Sequence, residues 1–295
     1  MNSPLRWFGG KGHLTGKLLE HIPPKELYDI YLEPFAGGAS MFFALPPTKL
    51  EILNDWDSLV VNFYRVLRDD GDKFIKLVNL LPYSREEYMD AKEILKLWPT
   101  HEIIDKKMRW AVEFFIRSRQ SMSGDLKGGW SHGRTTDAVR NWLSAVARLP
   151  QCVERLRSIQ IEHSPAVKCL QKYNTPYTFI YADPPYIHKS RERTNTKRGK
   201  EVKSGYRIEM SRGEHKELLE VLHNLKGYVL LSGYHNATYD NFFDEHEGWE
   251  VTEIDTVCQA SVVHGAGALK KDYKRTEVLW KNKMLVNVGH QLTIF

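Results

Sequence analysis

The chain has 295 residues, 42% of them hydrophobic and 12% aromatic, with no repeat or low-complexity tract, enough for one large core plus a satellite subdomain. Its 42 Lys and Arg against 37 acidic residues give a net charge of +5, short of a histone-like extreme, which suits a polyanionic partner and an ordinary basic enzyme equally. Cys152, Cys169 and Cys258 form no Cys-x-x-Cys pair and leave one over, which excludes a disulfide framework or zinc cluster as the reading; without a signal-peptide core in Met1 to Lys11 or an apolar run of membrane-spanning length, a soluble intracellular protein is expected.

In chain order, Leu27 to Leu32 reads as a buried parallel strand that runs into Glu33-Pro34-Phe35-Ala36-Gly37-Gly38. A second short strand, Lys49 to Leu53, ends at Asn54-Asp55. From Ser58 to Leu156 the apolar spacing becomes helical, as in Leu59, Phe63 and Leu67 or Trp110, Phe114 and Ile116. Such a stretch is far longer than an ordinary crossover between parallel strands, so residues 58–156 are expected to form a helical insert. Ile159 to Glu162, Tyr177 to Ala182 and Gly227 to Ser232 complete the parallel set, and Trp249 to Thr256 with Thr276 to Trp280 read as a closing antiparallel pair. The expected fold is α/β, a mostly parallel Rossmann-like sheet assembled from residues 1–57 and 157–295. Between the last two parallel strands, His188 to Arg207 is strongly basic and reads as a mobile loop.

Three segments carry candidate chemistry. Asp183-Pro184-Pro185-Tyr186 follows a strand, at the sheet end where ligands collect. An exocyclic amino group on a base is a poor nucleophile because its lone pair is delocalized into the ring. Two acceptors aimed at its hydrogens, the Asp183 carboxylate and the Pro184 carbonyl, favor a pyramidal nitrogen and release that lone pair. The Pro-Pro pair stiffens the turn and removes competing donors, and Tyr186 offers a face for stacking a base. A plain strand-ending turn is the alternative. In the second segment, Glu33, Phe35 and Gly37 belong to a glycine-containing loop that lets backbone approach a nucleotide-like cofactor; it lacks the Gly-x-Gly-x-x-Gly spacing, and Gly9 to Lys17 lacks P-loop spacing, so NAD and ATP are disfavored. A structural turn is again the alternative. Thirdly, Asp55 stands after the next strand, from which an acidic side chain in Rossmann-like sheets reaches a ribose diol.

Together these residues resemble the Dam-type family of N6-adenine DNA methyltransferases over nearly the whole chain. In that family the cofactor loop precedes a target-recognition insert and the catalytic turn follows it. Arg6-Trp7-Phe8-Gly9-Gly10-Lys11 resembles the N-terminal Trp-x-Gly-Gly-Lys element whose Trp and Lys contact S-adenosylmethionine, so Trp7 and Lys11 inherit that role, as Asp55 inherits the ribose contact and Asp183 a place beside the cofactor. Gly227 to Tyr234 resembles the strand bordering the target-base pocket. The resemblance implies S-adenosyl-L-methionine as cofactor, S-adenosyl-L-homocysteine as product, no metal, double-stranded DNA as substrate and a flipped adenine as target; a cognate restriction endonuclease and the oligomeric state stay open. The family often has an acid near the cofactor adenine where this chain reads Glu162-His163-Ser164-Pro165, a segment expected to serve as helix cap and first turn. Arg117, Arg119, Lys127 and Arg134, interleaved with Trp130, are candidates for contacting DNA, as are Lys189 and Arg191 in the basic run; a solvated helix face is the competing reading. Cytosine-N4 or RNA amino methylation shares the same turn chemistry, and a catalytically silent DNA-binding module is a further alternative.

Overall fold

The computed structural model describes residues 1–98, 107–122, 124, 126–132, 137–187, 207–257 and 274–292. After short turns and α1 (Thr15–Leu18), the chain runs through β1 (Ile30–Glu33), α2 (Ser40–Ala44) and β2 (Leu50–Asn54). Helices α3 (Ser58–Asp69), α4 (Gly71–Asn79), α5 (Arg85–Leu95), α6 (Lys107–Gln120) and α7 (Ala138–Leu156) follow without an intervening strand among the described residues. Then come β3 (Gln160–Glu162), α8 (Ala166–Lys172), β4 (Thr178–Ala182), α9 (Arg212–His223), β5 (Tyr228–Gly233), α10 (Ala237–Glu245), β6 (Trp249–Val257), β7 (Lys274–Asn282) and α11 (Lys283–Leu292).

The sheet has seven strands in the order β3-β2-β1-β4-β5-β7-β6. Strands β1 to β5 pair in parallel, while β7 runs antiparallel between β5 and β6. This is the expected α/β architecture. β1 starts later than the apolar run suggests, because Lys25–Leu27 closes a 3-10 turn behind Pro24, whose ring fixes the entry.

Both faces of the sheet are covered, so its strands are apolar at successive positions instead of alternating. Tyr31, Leu53, Phe179, Leu230 and Leu279 point into one core with α2, α3, α6 and α7. Leu32, Ile52, Ile180, Leu231 and Trp280 point into the other with α8, α9 and α10. The helical stretch therefore shares a continuous core with one sheet face. A buried ion pair ties it down further: Arg155 of α7 grips Glu51 of β2 with both guanidinium nitrogens and lies 3.9 Å over the Phe42 ring.

Local chemistry sets the helix starts. Asp57 caps α3 by accepting from the Leu59 N–H at 2.9 Å, and Ser211 with Glu214 forms a reciprocal capping box on α9. The expectation that Ser164 caps the helix after β3 is corrected. Pro165 holds the N-cap position of α8, and the Ser164 hydroxyl is drawn 3.1 Å from Asn54 Oδ1 because that side chain already bridges Pro34 and Ser164.

Candidate active site

From β1 the chain moves to β2 on one side, and β4 pairs with β1 on the other, so a crevice opens at the carboxyl ends of β1 and β4. The loop after β1 forms its floor. Gly37 has φ +45° and Ala39 φ 50°, a left-handed pair that turns the chain sharply into α2. A Cβ on Gly37 would stand 2.5 Å from Trp7 Nε1, so the indole lies against bare backbone. Trp7, Gly9, Gly10, Lys11, Glu33, Phe35, Gly37, Tyr181 and Asp183 are among the residues lining one open cleft.

Two acids organize this floor from behind. Glu33 is buried, and its Oε1 accepts from the Tyr31 hydroxyl and the Phe42 N–H, each at 2.6 Å. Desolvation outweighs these bonds and pushes its pKa up to about 8. Asp55, at the end of β2, accepts from Gly37 N–H at 2.8 Å and Asp57 N–H at 2.7 Å, and burial raises its pKa to about 7. It pins the glycine loop from outside the cleft lining. Asp57 in turn accepts from Nε and Nη2 of the Arg207 guanidinium, one on each carboxylate oxygen.

Opposite the loop stands the Asp183 turn. Its Oδ1 accepts from Lys11 at 2.7 Å and from Ser232 Oγ at 2.9 Å, and Oδ2 accepts from Lys11 at 2.9 Å. The Tyr186 hydroxyl, within hydrogen-bond reach of Lys11, lies 3.0 Å from Asp183 Oδ1 and 2.7 Å from Glu277 Oε1. Lys11 and Glu277 are 3.3 Å apart and both almost wholly buried. The Tyr234 ring meets the Tyr186 ring edge to face at 4.6 Å. The structure thus brings Trp7, Lys11, Glu33, Phe35, Gly37, Asp183 and Tyr186 around one cleft, with Asp55 behind its floor. The Asp183 carboxylate on this cleft, followed by the Pro-Pro turn and by a Tyr186 ring paired with Tyr234, offers groups suited to a planar amino-bearing ring.

Sequence reasoning missed Ser232 and Glu277. Ser232 lies on the strand that the resemblance set beside the target-base pocket, but nothing singled out the serine itself. Glu277 left one signal, an acid within a strand otherwise read as apolar.

The candidate DNA contacts separate. Arg117 is fully buried, stacked 3.9 Å over Tyr88, with its guanidinium donating to the Leu126 and Gly128 carbonyls. That burial removes it from any phosphate-contacting surface. Its cation–π stacking instead braces the turn closed by the Ser121–Trp130 bridge. Arg119 is half-buried and donates to the Asn141 carbonyl at 3.1 Å; burial and the nearby Arg148 and Arg6 bring its pKa down to about 10. Lys127 is exposed on the same turn. Arg134, Lys189 and Arg191 lie outside the described residues, as does all of the basic run except Arg207. Among the described residues, no group of three or more His, Cys, Asp or Glu side chains is placed to hold a metal ion, no helix is long and apolar enough to cross a membrane, and Cys152 and Cys169 are buried free thiols.

A parallel sheet with its ligand cleft at the switch point, closed by an antiparallel pair and carrying an Asp-Pro-Pro-Tyr turn after β4, defines a methyltransferase-type α/β fold. Residues 7–257 match the family described as D12 class N6 adenine-specific DNA methyltransferase, and the chain belongs to that family. Membership in it implies methyl donation from S-adenosylmethionine in general terms and DNA as the substrate class. The chain is similar to Type II methyltransferase M1.LlaDCHI of Lactococcus lactis subsp. cremoris, 35% identical over 89 residues that span 30% of each chain. It is also similar to Type II methyltransferase M.MjaIII of Methanocaldococcus jannaschii, 31% identical over 30% of this chain and 32% of that one. A DNA adenine methylase of Serratia marcescens is 26% identical over 41% of this chain and 42% of the relative. Each match thus spans less than half of the relative's length.

Proposed function

We propose that this protein transfers the methyl group of S-adenosyl-L-methionine to the N6 amino group of an adenine flipped out of double-stranded DNA. The observation that carries the reading is that Asp183 lines the same cleft as the glycine loop, so the acceptor for an amino group and the floor for a nucleotide-like cofactor share one space. The residues fit such a cofactor. Bare backbone at Gly37 keeps Trp7 flat along the cleft, Phe35 adds an apolar wall, and Glu33 with Asp55 holds the loop in shape. The cofactor supplies a methyl group already activated by its sulfonium.

The chain's own residues supply position. Asp183 and the Pro184 carbonyl accept the two amino hydrogens and direct the nitrogen lone pair toward the cleft, while Tyr186, backed by Tyr234, stacks the extruded base. Ser232 holds the Asp183 carboxylate from the side. Alignment of this kind contributes about 7–11 kcal/mol in well-oriented systems. Residues 58–156 are read as the target-recognition insert, with Arg119, Lys127, Arg134, Lys189 and Arg191 as candidate DNA contacts. A cognate endonuclease would be a functional companion in a restriction–modification pair.

Labeled S-adenosylmethionine tests the assignment. Wild-type protein should pass label to unmethylated DNA, and Asp183→Ala should lower that rate at least about 100-fold, the scale on which a preorganized hydrogen-bonding group acts. Undiminished transfer by the folded variant would contradict the role given to Asp183.

A further inference from the structure

Glu277 belongs to no role described so far, and it lies beyond the segment matching the family. It sits on β7 with 2% of its surface exposed, beside Lys11, which is 4% exposed. A carboxylate in such a place carries a desolvation cost that an aliphatic residue on this strand would avoid. Burial indeed raises its pKa, with Lys11 pulling the other way and the Asp183 charge adding to the rise.

The distribution of partners around Asp183 indicates its use. Oδ1 already accepts from Lys11 and Ser232, and the Tyr186 hydroxyl lies 3.0 Å away with its one hydrogen directed to the nearer Glu277 Oε1. Oδ2 has one described partner, the Lys11 ammonium at 2.9 Å. Without substrate, Lys11 therefore occupies the oxygen that a target amino group would use. For Asp183 to accept from that amino group, the ammonium must yield without being left unpaired in a buried site. A second carboxylate already stands 3.3 Å from it.

We infer that Glu277 is a positioning residue that receives the Lys11 ammonium when the target base enters, freeing Asp183 Oδ2 for the amino group while holding the Tyr186 hydroxyl in place. No covalent bond changes and no proton need move, because the ammonium passes from one carboxylate to another. Tyr186 keeps its 2.7 Å contact to Glu277 Oε1 throughout, so its ring stays set for stacking. This inference rests on the proposed amino methylation.

The test compares wild type, Glu277→Gln, Lys11→Met and the double variant in full-length protein, on long unmethylated genomic DNA. Single-turnover transfer of labeled methyl is measured beside calorimetric affinity for S-adenosylmethionine, filter-binding affinity for DNA, and thermal unfolding. Glu277→Gln keeps an acceptor for Tyr186 and removes the charge that would draw Lys11 away. It should slow transfer about tenfold or more while both affinities stay within about twofold and the melting temperature holds; a tenfold change corresponds to about 1.4 kcal/mol. In the Lys11→Met background the same change should add less than about twofold, since the two residues act as one unit. Wild-type-like transfer by Glu277→Gln would overturn the inference and leave the proposed function standing. So would a full effect in the Lys11→Met background, or a loss that tracks weakened binding or unfolding. Failure of the wild type to methylate DNA would overturn both.

Discussion

Glu33 illustrates how a single buried group couples the cofactor floor to pH. An unfolded glutamate titrates near 4.5, whereas in the fold Glu33 titrates near 8 because burial penalizes its charge. Between those values the folded chain keeps a proton that the unfolded chain has released. The stabilization is complete below the lower value and is lost as pH rises through the upper one. Asp55, raised to about 7, acts in the same direction, whereas His215, depressed to about 4 by burial, contributes no slope above its unfolded range near 6.5. Thermal unfolding followed from pH 7 to 8.5 should therefore show a falling melting temperature, and Glu33→Gln should flatten that fall. Equal slopes in the two proteins would show that Glu33 is ionized in the fold. At this scale the sequence exposed Asp183, Tyr186 and the glycine loop, because rare residue types stand next to one another there. Glu277 was hidden because its meaning arises only when a strand 94 positions away along the chain is laid beside Asp183, and that needs the sheet order. Arg117 misled for the opposite reason: an arginine beside Arg119 reads as surface charge until Tyr88 covers it.

Elements were legible where packing leaves a period in the sequence. Strands covered on both faces appear as apolar runs, and the helices from Ser58 to Leu156 carry their buried stripe at helical spacing. Less legible was the placement of β7 inside the sheet, between β5 and β6, since that depends on pairing and not on composition. The Ser164-Pro165 cap failed because a tertiary partner, Asn54, competes for the serine. The ion pair that ties α7 to the sheet beside their shared core was likewise invisible. Glu51 is 2% exposed and Arg155 9%, and removing either charge leaves the other buried alone. Glu51→Gln should cost about 3–5 kcal/mol in denaturant unfolding, in line with other buried pairs broken on one side. A change below about 1 kcal/mol would mean that the contact with the Phe42 ring and its carbonyl already satisfies the guanidinium.

For the molecule as a whole, the sheet, the helical stretch and the Asp183 turn are all consistent with the proposed function. The helical stretch shares its core with the sheet face, and the Trp7 ring that lines the cleft packs 6.0 Å from Phe114 of α6. A modest net charge of +5 suits the phosphate contacts that the proposed function requires. The turn chemistry alone admits any exocyclic amino group, and adenine enters through family membership together with the order of loop, insert and turn. The most direct test is nucleoside mass spectrometry of unmethylated DNA incubated with the protein and S-adenosylmethionine carrying a labeled methyl group. The predicted result is label in N6-methyladenine from wild-type protein and none above background from Asp183→Ala. Label in N4-methylcytosine, or active binding to DNA with no labeled nucleoside at all, would contradict it.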